Sequence, residues 1–303
     1  MIHSNYFIGA DIGGTHCSTA LVDLQQKKIV SSSFARTAID ASAEAGEIII
    51  AWSSCILSAK KNADTGAVCL AMPGPFDYER GISLMQGQHK YEKLYGLNIK
   101  ELLAHKLQMP AADIFMDNDA ACFLHGEVFA GAAARHADET VIGITLGTGL
   151  GSAIYKQGAA KNANLWCMPF QEGIAEDYLS SGWFIQRFRE LTGIVVPGVK
   201  ELAQLVTTNE KAKLVFLEFG SNLAQFLLQF IQMEQPAAVC IGGNISKAFT
   251  LFGSAVRDAI GRQYPHITIE PSMLGEEALL LGAVGSWFFK QQQKSLKSPY
   301  PEF

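Results

Sequence analysis

Two stretches of this chain follow one pattern. GADIGGTHCSTAL, from Gly9, and GITLGTGLGSAIY, from Gly143, each run from an apolar strand through a glycine turn into a second apolar strand. In register, Gly9 meets Gly143, Ile12 meets Leu146, Gly13 meets Gly147 and Ser18 meets Ser152. Two such units about half a chain apart predict two related domains facing each other across a cleft. The 303 residues, 49% hydrophobic and 17% charged, are enough for two domains of ordinary size.

The elements between the two turns fit an α/β arrangement. Residues 6–11, 16–24 and 28–37 read as strands, 43–61 as a helix with an apolar face, and 66–75 as a buried strand stopped by Pro73-Gly74-Pro75. Asn98 and Glu101 stand in capping-box spacing and open a helix over 98–108. DIFMDND reads as a short strand ending in acids, with a helix after it. The second half predicts helices near 177–192, 199–206, 212–233 and 247–263, strands at AAVCIGG and HITIEP, and a last helix over about 276–292. A formal net charge of −5 disfavours nucleic acid as a partner. No membrane span and no secretion signal are read from the sequence, and the six scattered cysteines read as reduced thiols, so a cytoplasmic location is expected.

The turns carry the chemistry. Gly13 and Gly14 leave backbone N–H groups open to an anion, and Thr15 adds a hydroxyl donor. Asp11 would repel a bare phosphate, so its place at this turn calls for Mg²⁺ held through water between carboxylate and phosphates. Gly147, Thr148 and Gly149 offer the same turn without the acid. Gly242, Gly243 and Asn244 end a strand and precede a helix, where an α/β sheet seats a ligand. Neither a Walker A sequence nor GxGxxG is present. Asp119, at a strand end opening a helix, is a candidate proton acceptor. It could equally be a helix cap, and Asp113 and Asp117 lie close by.

DIGGT, NDA, LGTGLG and IGGNIS, in this order and spacing, resemble the ROK family (repressors, open reading frames and kinases) of the actin-like ATPase superfamily, from Phe7 to about Gly285. The resemblance implies an α/β fold of two actin-like (ribonuclease H-like) domains, with mixed sheets flanked by helices and an active-site cleft between them. It implies domains over 1–118 and 119–275, with the helix near 276–292 returning to the first. It also implies ATP and a sugar as ligands, Mg²⁺, and a homodimer. Asp119 matches the family's general base and Asn118 its sugar-gripping neighbour, while Gly242 and Gly243 match positions that flank adenosine.

The segment KNANLWCMPFQEGIAEDYLSSG departs from the family. Related kinases carry a GExGH motif and a CxCGxxGC zinc cluster. Here Asn164 stands for the Glu and Cys167 for the His, and no structural zinc is expected because four ligands are lacking. Glu176 matches the family's last sugar-binding Glu. The pocket is therefore read as retuned, with Asn164, Trp166 and Glu172 serving a changed hydroxyl pattern, since Asn both donates and accepts where a carboxylate only accepts. Gly74 and Gln88 are expected to line the sugar from the 73–96 stretch, where Gln86, His89 and Lys90 offer further polar contacts. The function expected is ATP-dependent phosphorylation of a hexose or amino sugar. The alternative is an inactive or regulatory sugar- or nucleotide-binding relative. A repressor is disfavoured by the acidic chain and by the five residues that precede Tyr6.

Overall fold

The structure, a computed structural model, describes residues 4–60, 63, 65–87 and 90–297. They form two compact units: the described residues up to Ala130 together with those from Glu276 onward, and Gly131–Gly275.

The first unit begins with β1 (Tyr6–Ile12), β2 (His16–Asp23), β3 (Lys28–Ile29), β4 (Ala35–Ala38) and α1 (Ala45–Lys60). It continues through β5 (Val68–Met72), a small pair β6 (Phe76–Asp77) and β7 (Ile82–Ser83), α2 (Ile99–Leu107), β8 (Ile114–Asn118) and α3 (Asp119–Ala130). The sheet order is β3-β2-β1-β5-β8, with β4 on the other end of β2. β1 and β2 are antiparallel, with Asp11 opposite Ser18, while β5 and β8 run parallel to β1. Ile8, Ala10 and Ile12 of β1 pack with Trp52 and Ile56 of α1 and Leu70 and Met72 of β5. Burying side chains of this size stabilises by roughly 1.5–3 kcal/mol each. The Asn98 carboxamide accepts from the Glu101 N–H at 3.2 Å, the cap that its spacing predicts.

The segment 28–37 is not one strand. It pairs at residues 28–29, turns at Ser31–Ser33 and pairs again from Ala35. The reason is Ser33, whose hydroxyl donates to the Val30 carbonyl at 2.6 Å and accepts from the Leu21 N–H at 2.8 Å. A side chain takes the place of a ladder bond there.

The second unit repeats the plan: β9 (Val141–Leu146), β10 (Leu150–Lys156), β11 (Ala159–Asn162), the hairpin β12 (Pro169–Phe170) and β13 (Gly173–Ile174), α4 (Ala175–Tyr178), α5 (Ser181–Thr192), α6 (Val199–Leu205), α7 (Glu210–Glu234), β14 (Ala238–Gly242), α8 (Phe249–Gln263) and β15 (Thr268–Pro271). Its order, β11-β10-β9-β14-β15, has the same senses: an antiparallel pair joined by the glycine turn, then two parallel neighbours. The helix expected over 177–192 breaks at Ser180, which is extended, and α5 restarts at Ser181. α7 is long and apolar enough to cross a membrane by length and composition, yet Phe216, Phe219, Phe226 and Phe230 along it are core residues. Phe184 of α5 meets Phe219 at a centroid distance of 4.4 Å.

The chain then re-enters the first unit as α9 (Glu277–Lys297). A Cβ on Gly9 would lie 2.5 Å from the Leu280 carbonyl oxygen of α9, and one on Gly282 would collide with the Cys122 carbonyl of α3. α3 and α9 thus touch backbone to backbone, which is why α3 belongs to the first unit and the boundary falls after Ala130 rather than at 118/119.

Candidate active site

In the first unit the β1–β2 turn is closed by Gly13 N–H donating to the His16 carbonyl at 2.9 Å. Gly13 and Gly14 do not take positive φ, and at Gly14 an added Cβ would meet only the Lys90 Cδ at 3.8 Å. Glycine at 14 therefore leaves room above the turn rather than serving the backbone's own geometry. The Thr15 hydroxyl lies 2.9 Å from His16 Nδ1. From below, the buried Tyr91 donates its hydroxyl to the Gly13 carbonyl at 2.6 Å.

Asn118 ends β8 and caps α3. Its side-chain oxygen accepts from the N–H groups of Ala120 and Ala121 at 3.0 and 3.3 Å, and its amide donates to Asp119 Oδ1 at 3.0 Å. The same amide lies 3.2 Å from the Tyr78 hydroxyl, which donates to the Met72 carbonyl. An added Cβ on Gly74 would lie 2.9 Å from that hydroxyl and 3.9 Å from the Asn118 amide nitrogen, so Gly74 sits beside this network. Of the neighbouring acids, Asp117 is engaged elsewhere: its carboxylate accepts from the Ser286 hydroxyl at 2.9 Å and pairs with Lys290 at 3.4 Å on α9. Asp113 closes an exposed turn. Asp119 is left, and its charge acts on Asp11.

Burial pushes the Asp119 carboxyl upward, against the opposing pull of the Ala120 N–H, the Lys90 ammonium and the Asn118 amide. Burial likewise pushes Asp11 up to about 7, helped by the charges of Asp119 and Glu276 and opposed by Arg36. Arg36 is itself paired with Glu276 at 2.7 Å. A carboxyl whose folded pKa exceeds its unfolded value binds protons more tightly in the folded state. Its ionisation therefore destabilises the fold progressively as pH rises from about 4 to about 7, and fully above that. Asp11→Asn is accordingly expected to raise the melting temperature of the ligand-free protein at pH 8 by about 5 °C and to change it little at pH 4. Thermal melts at the two pH values check this; an equal shift at both would remove the electrostatic cause.

In the second unit, Gly147 N–H donates to the Gly149 carbonyl at 3.1 Å, and the Ser181 N–H and hydroxyl both donate to the Gly147 carbonyl, at 2.8 and 2.9 Å. Gly147 has open space where a Cβ would stand, whereas at Gly149 a Cβ would lie 2.5 Å from Glu176 Oε2. Glu176 also accepts from the Leu150 N–H at 2.8 Å, so this acid is bonded to the glycine turn itself. Thr148 and Glu176 line an open cavity of about 1050 Å³ together with Glu172, Tyr178 and Trp183. Asn164 is not among its lining residues; it takes a left-handed conformation before the turn Leu165–Cys167. Gly243 is required by packing, since its φ is +83° and a Cβ would lie 2.5 Å from the Leu146 N. Asn244 accepts from the Lys247 ammonium at 2.8 Å. Gln88 and His89 lie outside the described residues.

Sequence reasoning missed Tyr78, Tyr91 and Ser181, which hydrogen-bond to Asn118 and to the two glycine turns. A tyrosine in a loop carries no periodic signal, so nothing in the sequence distinguishes these from surface residues. Among the described residues no group of three or more His, Cys, Asp or Glu is placed to hold a metal, and Cys167 is exposed.

Two units that share one strand order, each with a glycine turn at the end of its first strand, define a two-domain α/β protein of the actin-like class. The model of the ROK family matches residues 7–162, and the chain belongs to that family. A glucokinase of Thermotoga maritima is 28% identical over 151 residues, half of this chain and 44% of the relative, so the match spans less than half of that protein. The structure of a ROK family glucokinase from Streptomyces griseus in complex with glucose and AMPPNP superposes with a TM-score of 0.74 at 22% identity, over 94% of this chain and 99% of that one. A ROK family transcriptional regulator, a homologue of the E. coli MLC protein, superposes with a TM-score of 0.74 at 16% identity, over 97% of this chain and 81% of that one. At these identities the structural likeness establishes the fold.

Proposed function

We propose that the protein is an ATP-dependent sugar kinase that phosphorylates a hydroxyl of a hexose or amino sugar. The observation that carries this is Asp119: a carboxyl pushed upward by burial, held by Asn118 at the opening of α3, its charge acting on Asp11 at the end of the strand before the glycine turn. A raised pKa brings the base toward neutral pH, where it accepts a hydroxyl proton best.

In this reading the sugar oxygen forms its bond to the γ-phosphorus as the bond from that phosphorus to the β–γ bridging oxygen breaks. The electron pair leaves with ADP, and the hydroxyl proton passes to Asp119. Asn118 and Gly74 border the sugar, and Thr15 and the Gly14 N–H receive phosphate oxygens, the Gly13 N–H being closed on the His16 carbonyl. Gly147, Thr148 and Gly149 form the second phosphate turn, and Gly242 to Asn244 flank the adenosine. Asp11 suits Mg²⁺, because a carboxylate left at about 7 by burial lacks the positive charge that would hold it ionised. The cation, held through water, supplies charge neutralisation at the phosphates. Glu176 is assigned to the sugar through its place in the cavity beside Thr148. A homodimer in the cytoplasm belongs to the same reading, checked by sedimentation and cell fractionation.

The test is ADP release from Mg·ATP against a panel of hexoses and N-acetylhexosamines. Turnover on one sugar, at least tenfold above the rate without it, supports the kinase. If no sugar stimulates release, a regulatory binding protein of the kind found elsewhere in the family replaces this reading.

A further inference from the structure

Lys90 sits where the proposed reaction needs positive charge, and nothing in the known pattern of glycine turns or acids points to it. Its stem runs across the β1–β2 turn, with Cδ at ordinary contact distance, 3.8 Å, from where a Gly14 Cβ would stand. Its ammonium acts on the Asp119 carboxyl through space, yet Lys90 makes no ion pair with any described carboxylate. Arg36, the cation that acts on Asp11, is already joined to Glu276. Lys90 therefore keeps its three donors for a ligand.

Its position is also fixed from the chain side. The next residue, Tyr91, is fully buried in a left-handed conformation with φ of +58°. Tyr91 donates its N–H to the Ala41 carbonyl at 2.8 Å and its hydroxyl to the Gly13 carbonyl at 2.6 Å, and its ring meets Trp52 edge-on at 5.1 Å. The residue that anchors Lys90 is thus the one that braces the phosphate turn, so lysine and turn are held in one frame. A preset cation is worth most where charge develops during the reaction, because no reorganisation is then required.

We propose that Lys90 is a catalytic residue of this site, its ammonium contacting the phosphoryl oxygens as the γ-phosphoryl group passes from ATP to the sugar hydroxyl whose proton goes to Asp119. Lys90 takes no part in the proton transfer. The proposal rests on the kinase reading, and the experiment separates the two.

Lys90→Met, which keeps the stem and removes the charge, and Lys90→Arg are compared with the parent protein in single-turnover phosphoryl transfer and in calorimetric titration with Mg·AMPPNP. Lys90→Met is expected to lower the transfer rate by about 10²–10³-fold, the loss seen when one stabilising donor is removed. Lys90→Arg should recover at least about tenfold of that loss, since it restores the charge in a different shape. A Lys90→Met rate within about threefold of the parent overturns the proposal and leaves the kinase reading standing. If the parent transfers phosphate to no sugar, the kinase reading falls and the titration decides. A tenfold weaker affinity in Lys90→Met then supports the phosphate contact, and unchanged affinity overturns it.

Discussion

Asp119→Asn is expected to lower sugar-dependent turnover by about 10²–10⁴-fold, the usual contribution of a positioned general base. The substitution is nearly isosteric, and its carbonyl oxygen can still accept from the Ala120 N–H and the Asn118 amide. What is lost is the ability to take a proton. Because the carboxyl is buried at an energetic cost, the variant should melt at or above the temperature of the parent, which separates lost chemistry from lost folding. Steady-state kinetics beside a thermal melt make the measurement. Retention of more than about a tenth of the parent rate would move the base to Asp11, the buried carboxyl on which its charge acts.

The second large effect concerns the backbone contact between α3 and α9. Gly282→Ala places a methyl inside the Cys122 carbonyl oxygen, with the Gly126 nitrogen 2.7 Å away. Neither obstacle is a flexible side chain that could swing aside; both are backbone atoms of a helix buried on its own core. Overpacking costs typically 1–3 kcal/mol where neighbours can shift, so a loss above about 3 kcal/mol is expected here. α3 opens on Asp119, the proposed base, and moving it disturbs that carboxyl's setting as well as the fold. Chemical denaturation and the kinase assay should therefore fail together. A variant that unfolds within about 1 kcal/mol of the parent would mean that the two helices can part at little cost.

How far the sequence could be read depends on whether a residue's job repeats. β1, β2, β9 and β10 were legible because apolar runs around paired glycines occur twice, and the Asn98 cap because its partner stands three residues on. Segment 28–37 was misread because a single hydroxyl, that of Ser33, replaces the ladder there. The helix over 177–192 broke because Ser181 bonds to a turn far away in the chain. The acids at Asp11 and Asp119 were visible as charges among apolar neighbours. Tyr78 and Tyr91, which brace them, act through one hydroxyl each across large separations, and no local pattern records that. Gly243 was read as a ligand-facing glycine, while the structure ties its identity to Leu146.

The return of α9 to the first unit has a consequence for biosynthesis. The covering of Gly9 on β1 and of Gly126 and Cys122 on α3 comes from residues 278–282. A chain emerging N-terminus first must complete all of Gly131–Gly275 before those residues exist. The second unit can close its own core while the first still waits, with the flank of β1 and α3 bare, so the unit made first is the last to be finished.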